Sequence, residues 1–358
     1  MADRTSIEWT DATWNPIRGC SRVSEGCRNC YAERQAIRFA GAGQPYEGLV
    51  RSTDHGPRWT GQVRLAEELL EAPLRWRKPR RVFVNSMSDL FHEALPFSVI
   101  AAIYGVMALT PRHTYQVLTK RPQRAVEFFH WLDRAAEVAE VTFPEDSINW
   151  RRWHILRAAA IRFLGTGPLP GIPADDPPWP LPNVWIGVSV ENQAAADERI
   201  PYLLQTPAAV RFVSCEPLLG PVDLTAVRPD AYTVLDVLNG CGVTTRPAAM
   251  GQSVPNVWTE RLDWVVVGGE TGPGARPMHP DWVRSIRDAC VAAGVPFFFK
   301  QWGEYCYPSQ MSSDTWQQVD MAINLGHHSD SPIGVGKRLA GALLDGREWR
   351  EWPVVAAR

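Results

Sequence analysis

Three cysteines lie close together near the start of the chain. The segment is Gly19-Cys20-Ser21-Arg22-Val23-Ser24-Glu25-Gly26-Cys27-Arg28-Asn29-Cys30-Tyr31, and the spacing is Cys-x6-Cys-x2-Cys. A glycine precedes both Cys20 and Cys27, so the backbone can fold tightly around a bound group. A [4Fe–4S] cube is usually held by four cysteines, and three thiolates leave one iron open. That iron can chelate the amino and carboxylate groups of S-adenosylmethionine (SAM). The reduced cluster can then cleave the carbon–sulfur bond to give a 5′-deoxyadenosyl radical, hard chemistry that belongs to the cofactor. Zinc is the rival: three cysteines with His55 or a distant cysteine would close a tetrahedral site. Three free thiols at a tight turn are the third reading. A zinc ribbon shows two cysteine pairs, and this chain has no second Cys-x-x-Cys, which favours iron–sulfur.

The chain around this loop is ordinary in bulk. It has 358 residues, a formal net charge of -2, 21% charged and 45% hydrophobic residues, which excludes a disordered chain. Near-neutral charge gives no global reason to bind nucleic acid, although local patches act locally. No apolar run is long enough to cross a bilayer, and the polar N-terminus lacks a secretory core, so no membrane partner and a cytoplasmic location are expected. Seven cysteines, three of them clustered, read as metal binding in a reducing compartment rather than as a disulfide scaffold. Sixteen tryptophans suit an aromatic core or stacking surfaces.

Elements that could position the cysteines follow from β-branched and aromatic runs alternating with helical stretches. Strands are expected at Val82–Asn85, Tyr115–Thr119, Val184–Val188, Val210–Val213, Trp264–Val267 and Val295–Phe299. Weaker ones are expected from Thr13 to Arg18 and around Val63. Helices are expected from Cys30 through Ile37, and over Pro96–Leu109, Pro122–Trp131, Ser147–Leu164, Gln193–Leu204 and Asp281–Ala293. Continuous apolar strands between helices indicate a parallel sheet buried on both faces. No Gly-x-Gly-x-x-Gly follows the first strand, so the expected fold is an α/β, partial or complete (β/α) barrel of six to eight units. Residues 1–305 form its single domain, with insertions near 143–182 and 224–260, and 306–358 form an irregular extension. The cysteine loop then falls between the first strand and first helix, at the catalytic end.

Polar residues recur just after the expected strands: Asn85, Ser86 and Asp89; Thr119, Lys120 and Arg121; Ser189, Glu191 and Asn192; Glu216; Glu270 and Arg276; Lys300, Gln301 and Trp302. Each alone reads equally well as a cap or an ion pair. Together they converge on one pocket. Lys300 follows a run of three phenylalanines and needs a carboxylate, Glu216 or Glu270. Asp89 and His92 form either an acid–base pair or a helix cap. Two basic runs with tryptophan, 75–81 and 151–157, read as solvated faces or as a nucleic-acid grip.

Several stretches carry a resemblance: Trp14-Asn15-Pro16, the cysteine loop through Glu33, Phe83 to Phe91, Leu118 to Pro122, Asn183 to Ser189, Ser214 to Gly220, Val267 to Glu270, and Lys300 to Gly303. They span most of the chain from Trp9 to Gly303. Together they resemble a phage-associated family of unknown function with a three-cysteine motif, and that resemblance implies a radical SAM-like fold. The wider superfamily spaces its cysteines Cys-x3-Cys-x2-Cys; here the first gap has six residues and Cys27-x-x-Cys30 keeps the second half. By the same resemblance Tyr31 stands where an aromatic packs near the adenine. Gly268-Gly269-Glu270 is similar to the stretch that holds the methionine amine. The expected site is thus a [4Fe–4S] cluster on Cys20, Cys27 and Cys30, with cofactor contacts at Tyr31, Gly268, Gly269 and Glu270 by resemblance and at Asn85 and Ser189 by their places after strands. The resemblance also implies an electron donor such as flavodoxin or ferredoxin. Glu216, Lys300 and Asp89 are the candidate catalytic side chains, and the substrate, with nucleic acid one class, is left open, as is the oligomeric state. The alternatives are a non-catalytic nucleic-acid-binding protein with structural zinc, and a zinc hydrolase. For the latter the chain has no His-x-x-x-His pair or nucleophile elbow.

Overall fold

Runs of valine, isoleucine and aromatic residues pack best on a pleated surface that is covered on both sides. In the computed structural model, which describes residues 5–142, 145–165, 175–245, 257–323 and 331–354, these runs become one parallel sheet. Among the described residues it has seven strands: β1 (Ala12–Trp14), β2 (Arg81–Val84), β3 (Thr114–Thr119), β4 (Val184–Ser189), β5 (Val210–Cys215), β6 (Trp264–Gly268) and β7 (Phe297–Gln301). Their order across the sheet is their order in the chain. The sheet curls into a half-barrel flanked by helices, and β1 and β7 do not pair with each other. The expected barrel is therefore partial.

The convex side is covered by α2 (Phe97–Ala108), α3 (Pro122–Val138), α5 (Gln193–Gln205) and α6 (Pro280–Ala293), which share one large apolar core with the outward strand residues. A further helix, α4 (Ile148–Leu164), starts at Ser147, whose hydroxyl accepts a hydrogen bond from the Trp150 amide. It crosses α2 so closely that a Cβ on Gly105 would lie 2.1 Å from the Leu156 carbonyl oxygen. The inward strand residues Phe83, Trp185, Phe212, Trp264 and Phe298 form a second cluster with Trp9, which precedes β1. Along β4, Trp185 belongs to the inner cluster while Val184, Ile186 and Val188 belong to the outer core, as the two-residue period of a strand requires.

Four boundaries differ from expectation for local reasons. The stretch from Thr13 to Arg18 splits at Pro16, which has no amide to donate. Its first part joins the main sheet as β1; Ile17–Arg18 pairs antiparallel with Arg64–Leu65. β2 stops at Val84 because Asn85 turns left-handed, with φ 58°. The last strand begins two residues late, since Gly294 ends α6 with φ 65° and the Val295 amide still bonds back to the Cys290 carbonyl. α3 continues past Trp131 to Val138 because Leu132 and Ala136 keep its buried face going.

In the second excursion Thr233–Asp236 pairs with Cys241–Thr244, and that strand with Val257–Trp258, all antiparallel. The loop at 166–174 and the stretch 246–256, both within the expected insertions, lie outside the described residues. The chain beyond β7 folds back along the sheet: the Phe299 amide donates to the Trp349 carbonyl and the Glu351 amide to the Phe297 carbonyl. Trp352 then stacks on Trp264 with ring centroids 5.0 Å apart. Among the described residues no helix is long and apolar enough to cross a membrane.

Candidate active site

The carboxyl ends of the strands open into a cavity of about 380 Å³, within the size range of small-molecule sites. Its floor is the upper part of the inner cluster, Trp9, Phe83 and Leu118. Above it come the polar residues that follow the strands, among them Asn85, Asp89, Ser189, Glu216, Glu270 and Lys300. Cys20, Cys27, Cys30 and Tyr31 line the same cavity. Of the candidate cluster, SAM and catalytic residues, Gly268 alone is not in the lining, and a Cβ there would come 3.3 Å from the Glu216 side chain; of the other strand-end polar residues, Glu191, Asn192, Arg276, Gln301 and Trp302 do not line it either. Gly269 answers a packing demand, because its Cβ would meet the Trp302 carbonyl oxygen at 1.9 Å.

The cysteine loop has little secondary structure of its own and is held by charged groups from three strand ends. After β3, Arg121 donates to the Ser21 carbonyl at 3.1 Å and hydroxyl at 2.7 Å, and its Nη1 lies 3.9 Å from the Cys20 sulfur. After β4, Glu191 accepts from the Ser24 hydroxyl at 2.9 Å, and is paired with Lys120 at 3.0 Å and Arg199 at 2.8 Å. Gly26 lies directly against it. After β6, Glu270 accepts from the Asn29 amide at 3.0 Å and takes two hydrogen bonds from the Arg276 guanidinium, which also reaches the Glu25 carbonyl. Inside the loop Arg22 donates to Glu33 of α1 (Tyr31–Ala36), and the Tyr31 hydroxyl donates to the Ser86 carbonyl.

Burial penalises charge here, and partners decide the outcome. Burial pushes the Cys20 thiol up to about 12, helped by Asp89 and opposed by Arg121. Burial likewise raises Cys30. Burial would also raise Glu191 and Glu270, but Lys120 and Arg199 hold the first, and Arg276 and Asn29 the second, below the usual carboxylate range. Thiols raised in this way are poor free nucleophiles. A metal bound there would require the thiols to be deprotonated.

Asp89 is fully engaged. Its Oδ1 accepts from the Phe91 amide and the Thr119 hydroxyl, and its Oδ2 from the Lys120 amide and Arg121. His92 faces the Ser21 hydroxyl at 3.0 Å instead. Lys300 finds its carboxylate in Glu216, 2.6 Å away, and not in Glu270. Asn85 accepts from the Ile17 amide through Oδ1, while its buried Nδ2 has no partner. His55 is exposed on a turn and does not line the cavity.

Three half-buried cysteine thiols line one wall of the cavity, the number that a cluster with one open iron would need. Among the described residues no group of three or more His, Cys, Asp or Glu is arranged to hold a metal ion. A single zinc ion needs ligands converging on one point, whereas a cube offers each thiolate a separate iron. The basic runs lie elsewhere and have internal partners: Arg81 pairs with Asp11 and covers Trp352, and Arg152 pairs with Asp133.

Sequence reasoning placed Arg121, Glu191 and Arg276 at strand ends without roles; their hold on the cysteine loop is new. Trp9 and Lys337, which also line the cavity, had no local signal at all.

No curated protein and no solved structure matches the chain significantly. One family model, described as a protein of unknown function (DUF5131), matches residues 4–353, nearly the whole length, and the chain belongs to that family.

Proposed function

We propose that the chain is a radical SAM-type iron–sulfur enzyme acting on a substrate bound in the half-barrel cavity. One observation carries this reading: three half-buried thiols of a single loop share the cavity wall with the strand-end polar groups. Cys20, Cys27 and Cys30 would hold the cluster, which when bound supplies an open iron for SAM and the electron that cleaves it.

The chain's own residues have definable work. Arg121, Glu191 and Glu270 hold the cysteine loop against the strand ends, so the thiols are placed before any ligand arrives. Trp9, Phe83 and Leu118 make a dry floor, which limits the side reactions of a reactive species. Lys300 and Glu216 form the charged pair left facing the cavity, available to orient a polar group. Glu270, whose Oε2 is taken by Asn29 and Arg276, acts as a positioning residue for the loop.

Anaerobic purification with iron and sulfide analysis, and electron paramagnetic resonance of the reduced protein, test the reading. About four irons per chain are expected, with a spectrum altered by SAM and 5′-deoxyadenosine formation lost in Cys27→Ala. A colourless protein with one zinc, and no cluster after reconstitution, would make structural zinc the correct account.

A further inference from the structure

Only four of the chain's 37 cationic side chains are lysine; the rest are arginine. Three of those four, Lys120, Lys300 and Lys337, line the cavity. The fourth, Lys78, is exposed near the amino end of β2. A chain that otherwise uses arginine has placed ammonium groups at this one site. The two cations differ physically: guanidinium is a broad planar fork, whereas ammonium is a compact point charge on a flexible stem with three donors.

The three lysines are not equivalent. Lys120 is committed to Glu191, which is 1 % exposed and part of the loop anchor. Lys300 and Lys337 belong together. Lys300 lies 2.6 Å from Glu216 and 3.9 Å from Glu8, and Lys337 lies 2.9 Å from the other oxygen of Glu8. Glu8, which does not line the cavity, therefore draws two ammonium groups to one side of it. Among the described residues each ammonium has one close partner, at 3.0 Å or less. Each can still donate to a ligand.

We propose that Lys300 and Lys337 form a binding site for an anionic group, phosphate or carboxylate, of the substrate. Glu8 and Glu216 orient the two ammonium groups, and a flexible stem lets each pivot onto the anion without filling the cavity as guanidinium would. The catalytic meaning of the site rests on the radical SAM reading. Anion binding does not, and it can be measured without cluster or SAM.

Isothermal titration of the full-length protein with inorganic phosphate and with malonate tests the site. Saturable binding of one or both is expected. It should weaken roughly tenfold in Lys300→Gln and in Lys337→Gln, the loss of one charged hydrogen bond. Lys78→Gln should leave it unchanged. Tighter phosphate binding would name a phosphorylated substrate, and tighter malonate binding a carboxylate; either supports the site. The Lys337 side chain is 40% exposed, so its replacement separates loss of the site from loss of the fold. No binding of either anion, or binding undiminished in both lysine variants, overturns the proposal. A protein that binds anion yet assembles no cluster keeps the site and loses the functional reading; one that assembles a cluster yet ignores both anions does the reverse.

Discussion

Gly26 shows how far single atoms decide this site. A Cβ there would lie 2.3 Å from Glu191 Oε1, and a flexible side chain would ordinarily move aside. Glu191 cannot move freely: it is buried and tied to Lys120, Arg199 and Ser24. Swinging it away would leave a buried charge short of partners, which is costly. Gly26→Ala should therefore destabilise the fold by about 1–3 kcal/mol and lower iron incorporation, both read on the purified protein by urea unfolding and metal analysis. Gly220→Ala is the control, since its Cβ would meet only Asn192 at an ordinary 3.5 Å; an equal loss in both variants would refute the lock. The sequence made the cysteines and the strand-end polar groups legible, because both follow local patterns. It could not pair them. Ser24 meets Glu191 across 167 residues and Asn29 meets Glu270 across 241, and only the folded half-barrel brings such distant residues together.

At the scale of elements, the strands were the most legible feature. β4 is buried along its whole length, so its sequence is an unbroken run of apolar and small residues. Short irregular segments were least legible, because tertiary contacts fix them. The turn between Leu343–Leu344 and Arg347–Glu348 is an example. There Asp345, at φ 53°, accepts from Arg284 and Arg287 of α6 and from Gln310. Hydrogen bonds from Arg284, then Arg287 and Gln310, hold its carboxyl well below the usual carboxylate range. A carboxyl lowered on folding adds stability above its unfolded pKa, and that stability is lost as pH falls toward the folded value. The wild type should thus lose stability faster than Asp345→Asn below about pH 4. Asparagine tolerates the left-handed backbone, so the variant tests charge alone. At pH 7 it should be weaker by at most about 1 kcal/mol, since the pair is partly exposed and screened. Parallel acid-unfolding curves for the two proteins would refute the linkage.

At the scale of the whole molecule, the half-barrel has two ends with different duties. The cavity opens at the carboxyl ends of the strands, where it is lined by the cysteine loop and by Lys120, Lys300 and Lys337. The amino ends carry the returning chain. Trp352 packs on Trp264 at the start of β6 and on Phe298 of β7, and the Arg81 guanidinium at the start of β2 lies 4.0 Å from its ring. The tail thus touches β6, β7 and the first residue of β2. The Trp264 indole N–H adds a hydrogen bond to the Glu351 carbonyl. In parallel barrels the amino-terminal face serves stability and the other face serves catalysis. Trp352→Ala removes a half-buried ring with two aromatic neighbours and one cation, and should cost about 2 kcal/mol. Urea unfolding would show the loss as a lower midpoint with little change in slope. Anion affinity and iron content should stay at wild-type values in the folded variant, because Trp352 packs on the inner aromatic cluster and does not itself line the cavity. A fall in either at unchanged stability would mean that the two ends are coupled, and that the aromatic interior transmits strain from the tail to the site.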